Sequence, residues 1–135
     1  METAPKFVGT LLYNTAGCVL LQLRDDKPGI YYPGLWSIPG GAVEANETPV
    51  QAAMRELEEE TGYKLSTEPE PLGRDTVALK DGSPAIRYFF KAPYDGTQPI
   101  HCFEGQKMEF IPIAEAQDLD LVPGCLAFIN LLSHA

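Results

Sequence analysis

The chain has 135 residues, which is about the length of one domain and too short for two, so residues 1–135 are expected to form a single domain. Hydrophobic residues make up 44% of the sequence, and this proportion predicts a folded core and excludes a disordered chain. Ten Lys and Arg residues stand against nineteen Asp and Glu residues, and the resulting formal net charge of −9 argues against electrostatic binding to duplex DNA or RNA.

The cysteines and the apolar runs exclude two further classes. Cys18, Cys102 and Cys125 form no CxxC pair, so they predict neither a disulfide framework nor a zinc site. The first five residues lack the apolar segment of a signal peptide, and no apolar run approaches the ~18 residues of a membrane span. We therefore expect a cytoplasmic protein that does not bind a membrane.

The first part of the chain predicts short strands and one long loop. Residues 7–13 and 18–23 are apolar and flank an Asn-Thr-Ala-Gly turn, which indicates an antiparallel hairpin. Residues 24–34 contain two Pro-Gly pairs and predict a loop, and residues 35–38 predict a brief strand. The following Pro39-Gly40-Gly41 is expected to end that strand.

A helix between Thr48 and Gly62 is the clearest element in the sequence. Thr48 at the N-cap, Pro49 at the first helical position and Gln51 at the third form a capping box. Gly62 supplies the C-terminal stop. The predicted buried stripe consists of Val50, Met54, Leu57 and Thr61, with Ala53 at its margin.

The second part of the chain predicts two strands around a turn, a third strand and a closing helix. The strands cover residues 75–79 and 86–92, with a turn at 80–84, and residues 107–112; the helix covers residues 123–132. Strands that occur in groups, with helices between the groups, indicate a mixed sheet packed between helices more than a doubly wound parallel sheet. The expected fold class is therefore α/β (α+β).

Three glutamates share one side of the predicted helix: Glu56, Glu59 and Glu60. Each close pair of like charges costs a helix about 0.2 to 0.5 kcal/mol, and the C-terminal half of a helix disfavours anions. A hard ion such as Mg²⁺ or Mn²⁺ would remove this conflict, because it prefers carboxylate oxygens. The alternative is a solvated acidic face without a ligand.

Neighbouring residues are suited to such an ion site. Arg55 can pair with one carboxylate and hold it in place. Ala52 falls on the acidic face, and its small side chain would leave room for a ligand. Gly40 and Gly41 allow the backbone to pass close to the same place and to offer a carbonyl oxygen.

The spacing of these residues follows a known pattern. Five residues separate Gly41 from Glu47, and seven separate Glu47 from the run Arg55-Glu56-Leu57-Glu58-Glu59-Glu60-Thr61-Gly62. This is the Nudix box, GX5EX7REUXEEXGU with U a bulky aliphatic residue, except that Tyr63 stands at its last position. Residues 36–41 also look like the usual lead-in to the box. The chain therefore resembles the MutT-like members of the Nudix hydrolase family, and the resemblance implies an α/β/α sandwich with a mixed central sheet.

The resemblance implies a pyrophosphohydrolase that needs Mg²⁺ or Mn²⁺ and cleaves a nucleoside diphosphate linked to another moiety. A nucleoside triphosphate or a small nucleotide sugar is the leading substrate class. By position, Glu56, Glu59 and Glu60 would bind the metal together with the Gly40 carbonyl. Arg55 would orient Glu56, the first choice as proton acceptor, and Glu47 would brace Arg55. Gly41 and Gly62 would support the site.

Residues outside the box are further candidates. Glu104, in the run Glu104-Gly105-Gln106, resembles a glutamate that reaches the metal and takes part in catalysis in MutT-like members; the alternative is a turn residue. Glu109 is a weaker candidate. Arg24 resembles a position that touches substrate. Tyr31, Tyr32 and Trp36 could stack on a nucleobase, although a tryptophan is more often part of a core.

Two observations bear on the substrate and on the competing function. Family members that recognise oxidised purine nucleotides tend to carry Asn after a proline near the last helix, whereas this chain has Gly124 after Pro123. A Nudix module that binds nucleotides without cleaving them is the alternative function, and the intact box glutamates favour the hydrolase. The expected partner is a small nucleotide, and the sequence leaves both a monomer and a homodimer open.

Overall fold

The computed structural model describes residues 4–132, which form seven strands and two α-helices. The first five residues, which lack the apolar segment of a signal peptide, lie partly outside this range. No helix within residues 4–132 has the length and apolar character needed to cross a membrane. The strands are β1 Lys6–Tyr13, β2 Cys18–Leu23, β3 Trp36–Ser37, β4 Gly40–Ala42, β5 Glu70–Ala78, β6 Pro84–Pro93 and β7 Lys107–Pro112; the helices are α1 Pro49–Thr61 and α2 Cys125–Leu132, with a 3₁₀ helix at Ile113–Asp118.

The strands form one mixed sheet with the order β3-β2-β1-β6-β5. β1 runs parallel to β6 over its full length and antiparallel to β2 and β4. The predicted hairpin is present, but its strands diverge beyond the pair Tyr13 and Val19. Residues 36–42 fill the gap, because β3 pairs with β2 and β4 pairs with β1. β7 covers the other edge of β2.

β4 corrects one sequence-based expectation. Pro39-Gly40-Gly41 does not end the extended chain, since Gly40–Ala42 is a strand on β1. The reason is the missing side chain of Gly40: a Cβ atom there would lie 1.8 Å from the carbonyl oxygen of Val8. Glycine allows the two backbones to approach, and this approach brings the Nudix-like segment onto the sheet.

The two helices cover opposite faces of the sheet. Neighbouring residues of β1 show the alternation, because Leu11 packs in a cluster with α2 and Leu12 in a cluster with α1. Phe128 and Ile129 of α2 lie in the first cluster, and Leu57 of α1 lies in the second. The fold is therefore an α/β/α sandwich around a mixed sheet, as predicted.

α1 begins and ends where its capping residues predict. The Thr48 side chain accepts a hydrogen bond from the Gln51 backbone N–H, the Gln51 side chain accepts one from the Thr48 N–H, and Gly62 adopts the left-handed conformation. The predicted buried stripe is only partly correct. Leu57, Thr61 and Ala53 are buried, but Val50 and Met54 are only partly buried.

The role expected for Ala52 is wrong. Its side chain is fully buried between α1 and the sheet, in a cluster with Val8 and Phe90. A small side chain there brings the helix close to the strands and leaves no room for a ligand. Glu60, which periodicity placed on the polar face, is also buried.

The later elements differ from the predictions mainly at their ends. β5 and β6 are longer than predicted, and β7 has the predicted bounds. α2 begins at Cys125, because Gly124 has a positive φ of 89° and cannot belong to the helix. The sequence patterns did not predict the 3₁₀ helix.

Candidate active site

Arg55 joins the acidic side of α1 to β4 and the loop between them. Its Nε and Nη2 atoms donate to the two carboxylate oxygens of Glu47 at 2.7 and 3.0 Å. Nη1 donates to Glu56 at 3.2 Å and to Glu59 at 3.3 Å, and Nη2 also donates to the Ala42 carbonyl at 3.0 Å. The hydrogen bonds from Arg55 lower the pKa of Glu47 to about 2. Arg55 therefore fixes the Glu56 carboxylate from one side.

Glu60 is a buried acidic residue at the end of the same helix, with 3% of its surface exposed. One carboxyl oxygen accepts a hydrogen bond from the Gly40 N–H at 3.2 Å, while the other has no hydrogen-bond partner within residues 4–132. Burial, and then the charges of Glu104 and Glu56, raise its pKa to about 9. Burial also raises the pKa of Glu56, although Arg55 opposes the shift. The site holds more negative charge than protein contacts alone satisfy.

A divalent cation fits this donor set. An unpartnered buried carboxyl oxygen needs a hydrogen-bond donor or a cation, and two further carboxylates, Glu56 and Glu104, act on it electrostatically. Within residues 4–132, no group of three His, Cys, Asp or Glu side chains has the geometry of a complete metal site. Glu59 lies apart from Glu60, because its side chain is 59% exposed and points to Arg55.

The two glycines at the ends of the box make room for this arrangement. A Cβ atom on Gly41 would lie 2.4 Å from a carboxylate oxygen of Glu56, so the acidic side chain packs directly over the strand. Gly62 closes α1, and its N–H donates to the Glu58 carbonyl. Tyr63 follows and is buried; its hydroxyl accepts a hydrogen bond from the Asp95 N–H at 2.9 Å. The unusual aromatic residue is thus accommodated in the core.

The loop before β7 carries Glu104 to the site. The Phe103 N–H donates to the Glu60 carbonyl at 2.9 Å, and the Gln22 side chain donates to the Glu104 carbonyl at 2.9 Å. These bonds tie the loop to the end of α1 and to β2. Glu109, the weaker candidate, lies on β7, and its exposed side chain pairs with Lys107 at 3.3 Å.

Two cavities flank Glu104. The first has a volume of about 300 Å³. Its wall includes Arg24, Tyr31, Tyr32, Gly40, Gly41, Arg87, Phe89 and Glu104. The second has a volume of about 450 Å³ and shares Arg24 and Glu104 with the first; Lys27 also lines it. Arg24 is held by a hydrogen bond from its Nε to the Tyr31 carbonyl at 2.8 Å.

Trp36 is the predicted substrate residue that the structure does not bring to the site. It is not among the residues lining either cavity. Its side chain packs against the α2 side of the core, and the Lys107 Nζ atom lies 5.4 Å from the ring centroid. Its backbone on β3 bonds to Asp120 and Val122.

The comparisons identify the family. The family model for the NUDIX domain matches residues 4–131. The chain belongs to the Nudix family. The chain is 41% identical, over 155 aligned residues, to a putative 8-oxo-dGTP diphosphatase from Bacillus subtilis; the alignment covers 99% of the chain and 97% of the relative.

Other relatives match only part of their length or only the fold. An RNA pyrophosphohydrolase from Gluconacetobacter diazotrophicus is 43% identical over 58 residues, covering 41% of this chain and 35% of the relative. The chain thus spans about a third of that protein. The NUDIX domain of Shewanella oneidensis NrtR, solved with ADP ribose, has a TM-score of 0.80 at 20% identity and covers 99% of this chain and 89% of that one. Nudix hydrolases generally need a divalent metal ion.

Sequence reasoning missed one charged pair at the Nudix site. Arg87 lines the smaller cavity and pairs with Asp75, yet neither residue was a candidate. A signal was present, since Arg87 interrupts the apolar run predicted as a strand over residues 86–92. The partner of Arg87 is Asp75, which β5 places directly opposite it. No local sequence pattern predicts that pairing.

Proposed function

We propose that this Nudix hydrolase is a divalent-metal-dependent pyrophosphohydrolase that cleaves a nucleoside diphosphate linked to another moiety. A nucleoside triphosphate or a small nucleotide sugar is the leading class. The observation that carries the proposal is the buried Glu60 carboxyl with one unpartnered oxygen, close enough to Glu56 and Glu104 for their charges to raise its pKa, beside a cavity lined by tyrosines.

The box residues have separate roles in this proposal. Glu56, Glu60 and Glu104, with Glu59 and the Gly40 backbone, hold Mg²⁺ or Mn²⁺. When bound, the ion supplies positive charge that offsets the pyrophosphate and the chain's net charge of −9. Glu56 accepts the proton of the attacking water, a role suited to a carboxylate whose pKa burial has raised.

The remaining residues position these groups and the substrate. Arg55 orients Glu56, and Glu47 holds the Arg55 guanidinium through two hydrogen bonds. Arg24 lines both cavities and is the proposed contact for the substrate phosphates. Tyr32 lines the smaller cavity, where a nucleobase stacks on aromatic faces. A cytoplasmic location stays a prediction from the sequence.

The test is release of phosphate or pyrophosphate from nucleoside triphosphates, 8-oxo-dGTP, 5′-triphosphate RNA, dinucleoside polyphosphates and nucleotide sugars, each with Mg²⁺ and with Mn²⁺. Glu56→Gln and Glu59→Gln are expected to lose at least about 100-fold in kcat. Glu58→Gln is the matched control, since Glu58 is exposed and occupies a variable position of the box.

The outcomes separate the two functions. Turnover of one substrate class by the wild type and by Glu58→Gln, lost in the other two variants, supports the hydrolase. If no substrate is turned over while nucleotides still raise the melting temperature, the chain is a nucleotide-binding module. Full activity in Glu56→Gln would refute the assignment of the metal site.

A further inference from the structure

An arginine and an aspartate form an ion pair at the wall of the smaller cavity, which none of the box glutamates lines. Arg87 on β6 and Asp75 on β5 stand directly opposite each other across the two strands. The Arg87 Nε donates to Asp75 at 2.8 Å, and Nη2 donates both to the second oxygen of Asp75 and, at 2.9 Å, to the Pro123 carbonyl. Only 13% of the Arg87 side chain is exposed. The guanidinium is therefore fixed, and it lines a cavity rather than open solvent.

The neighbouring backbone is shaped around this guanidinium. A Cβ atom on Gly124 would lie 2.3 Å from the Arg87 Nη2 and 2.9 Å from an Asp75 carboxylate oxygen. The Arg87 guanidinium carbon also lies 5.2 Å from the centroid of the Phe89 ring, a cation-π distance. Strands β5 and β6, the turn before α2 and an aromatic side chain thus together hold one side chain in place. A surface ion pair does not require such a glycine.

The chemistry of the pair indicates what it binds. An arginine has only hydrogen-bond donors, and Asp75 balances its charge. A neutral group with acceptor atoms suits this wall better than a phosphate, since Lys27 lines the larger cavity and Arg24 lines both cavities as cations that, within residues 4–132, have no such partner in this wall. Tyr31 and Tyr32 add aromatic faces to the same wall. A flat, neutral ring with acceptors on its edge meets all of these conditions.

Nucleobases differ at that edge. Guanine presents the acceptors O6 and N7, and uracil and thymine present O4, whereas adenine and cytosine carry an amino donor at the corresponding position. We infer that Arg87, held by Asp75, makes this cavity select nucleotides whose base carries a keto oxygen over those whose base carries an amino group. The inference rests on the proposed function for its substrate class, and it adds the base preference and the residue that sets it.

The first test compares substrates that differ only at this edge. The ratio of kcat/KM for dGTP over dATP, and for dUTP over dCTP, is measured for the wild type, Arg87→Met and Arg87→Lys. Nε and Nη2 of Arg87 are engaged by Asp75 and Pro123, so Nη1 is the donor that faces a base. Because one hydrogen bond from a charged group is worth about 1.5–3 kcal/mol, the wild-type ratios are expected to exceed about 10 and to fall by about 10- to 100-fold in Arg87→Met. Arg87→Lys is expected to recover part of the preference, since it keeps a donating nitrogen and the charge.

Two further variants guard against a fold defect. Arg74→Met is the matched control, because Arg74 is the exposed neighbour of Asp75 on β5, and its ratios should equal those of the wild type. Arg87→Met combined with Asp75→Leu removes both charges and leaves no unpaired carboxylate. The same loss of ratio in a stably folded double variant supports the inference. Wild-type ratios near 1, or an equal fall for all four nucleotides in Arg87→Met, would overturn it.

A binding measurement separates this inference from the proposed function. GMP and AMP are titrated into the metal-free protein by calorimetry, without any need for turnover. Tighter binding of GMP, lost in Arg87→Met, supports the inference even if no substrate on the panel is hydrolysed. Hydrolysis of all four triphosphates with equal GMP and AMP affinities would refute the base preference and leave the hydrolase intact.

Discussion

The buried Glu60 carboxyl makes the stability of the metal-free protein depend on pH. The ordinary pKa of 4.5 is raised to about 9 in the fold, first by burial and then by Glu104 and Glu56. Between these two pH values the unfolded chain has lost this proton while the folded chain keeps it. The free energy of unfolding therefore falls as the pH rises, by about 1.4 kcal/mol per pH unit from this group alone. Its contribution is fully present below pH 4.5.

The assay is urea unfolding in EDTA at pH 5.5 and pH 8.5. Wild-type protein is expected to lose about 4 kcal/mol through Glu60 over this range, a large share of the stability of a small domain. Glu60→Gln keeps the shape and the acceptor for the Gly40 N–H but cannot titrate. Its free energy of unfolding should therefore fall by about 4 kcal/mol less than that of the wild type. Glu59→Gln, whose side chain is 59% exposed, should behave as the wild type.

Two results would refute this reasoning. One is an equal loss of stability in wild type and Glu60→Gln, which would mean that Glu60 ionises freely in the fold. The other concerns the metal: Mg²⁺ or Mn²⁺ at pH 8.5 should restore stability to the wild type, since a cation stabilises the ionised carboxylate, and should do so much less in Glu60→Gln. Equal restoration in both would place the ion elsewhere.

Three other changes have defined outcomes. Gly41→Ala places a methyl group 2.4 Å from the Glu56 carboxylate, so kcat should fall at least about 100-fold while circular dichroism stays unchanged; normal turnover would contradict the packing. Arg55→Met removes the donors that lower the pKa of Glu47 to about 2, so an NMR titration should show that pKa rising towards its ordinary value, and an unchanged value would mean another group sets it. Thr48→Ala should cost about 1 kcal/mol in urea unfolding through the lost cap, without affecting turnover; equal stability would show that the cap contributes nothing.

Features that depend on neighbouring residues were predictable from the sequence. α1 begins at Pro49 and ends at Thr61 because the capping box and Gly62 are local signals. The residues of the box also lie close together in the sequence, on α1 and the segment that precedes it. This is why the structure brings Arg55 and Glu56 together as expected.

Features that depend on distant contacts were not predictable in the same way. Helical periodicity placed Glu60 on the polar side, but the loop that carries Phe103 and Glu104 folds against the end of the helix and buries it. The pairing of Gly40 with β1 could not be predicted locally, because the backbone that it approaches, at Val8, belongs to a different part of the sequence. The Asp75–Arg87 pair requires the register between β5 and β6, which no single segment encodes.

The parallel pairing of β1 with β6 has a consequence for biosynthesis. Residues 6–13 obtain their long partner only when residues 84–93 have been made, and β2 obtains its own only with residues 107–112. The apolar side chains of the first two strands therefore have no sheet to join during most of translation. Non-local pairing of this kind slows folding and leaves nascent chains prone to association. We expect chains that stop before β7 to aggregate or to be degraded.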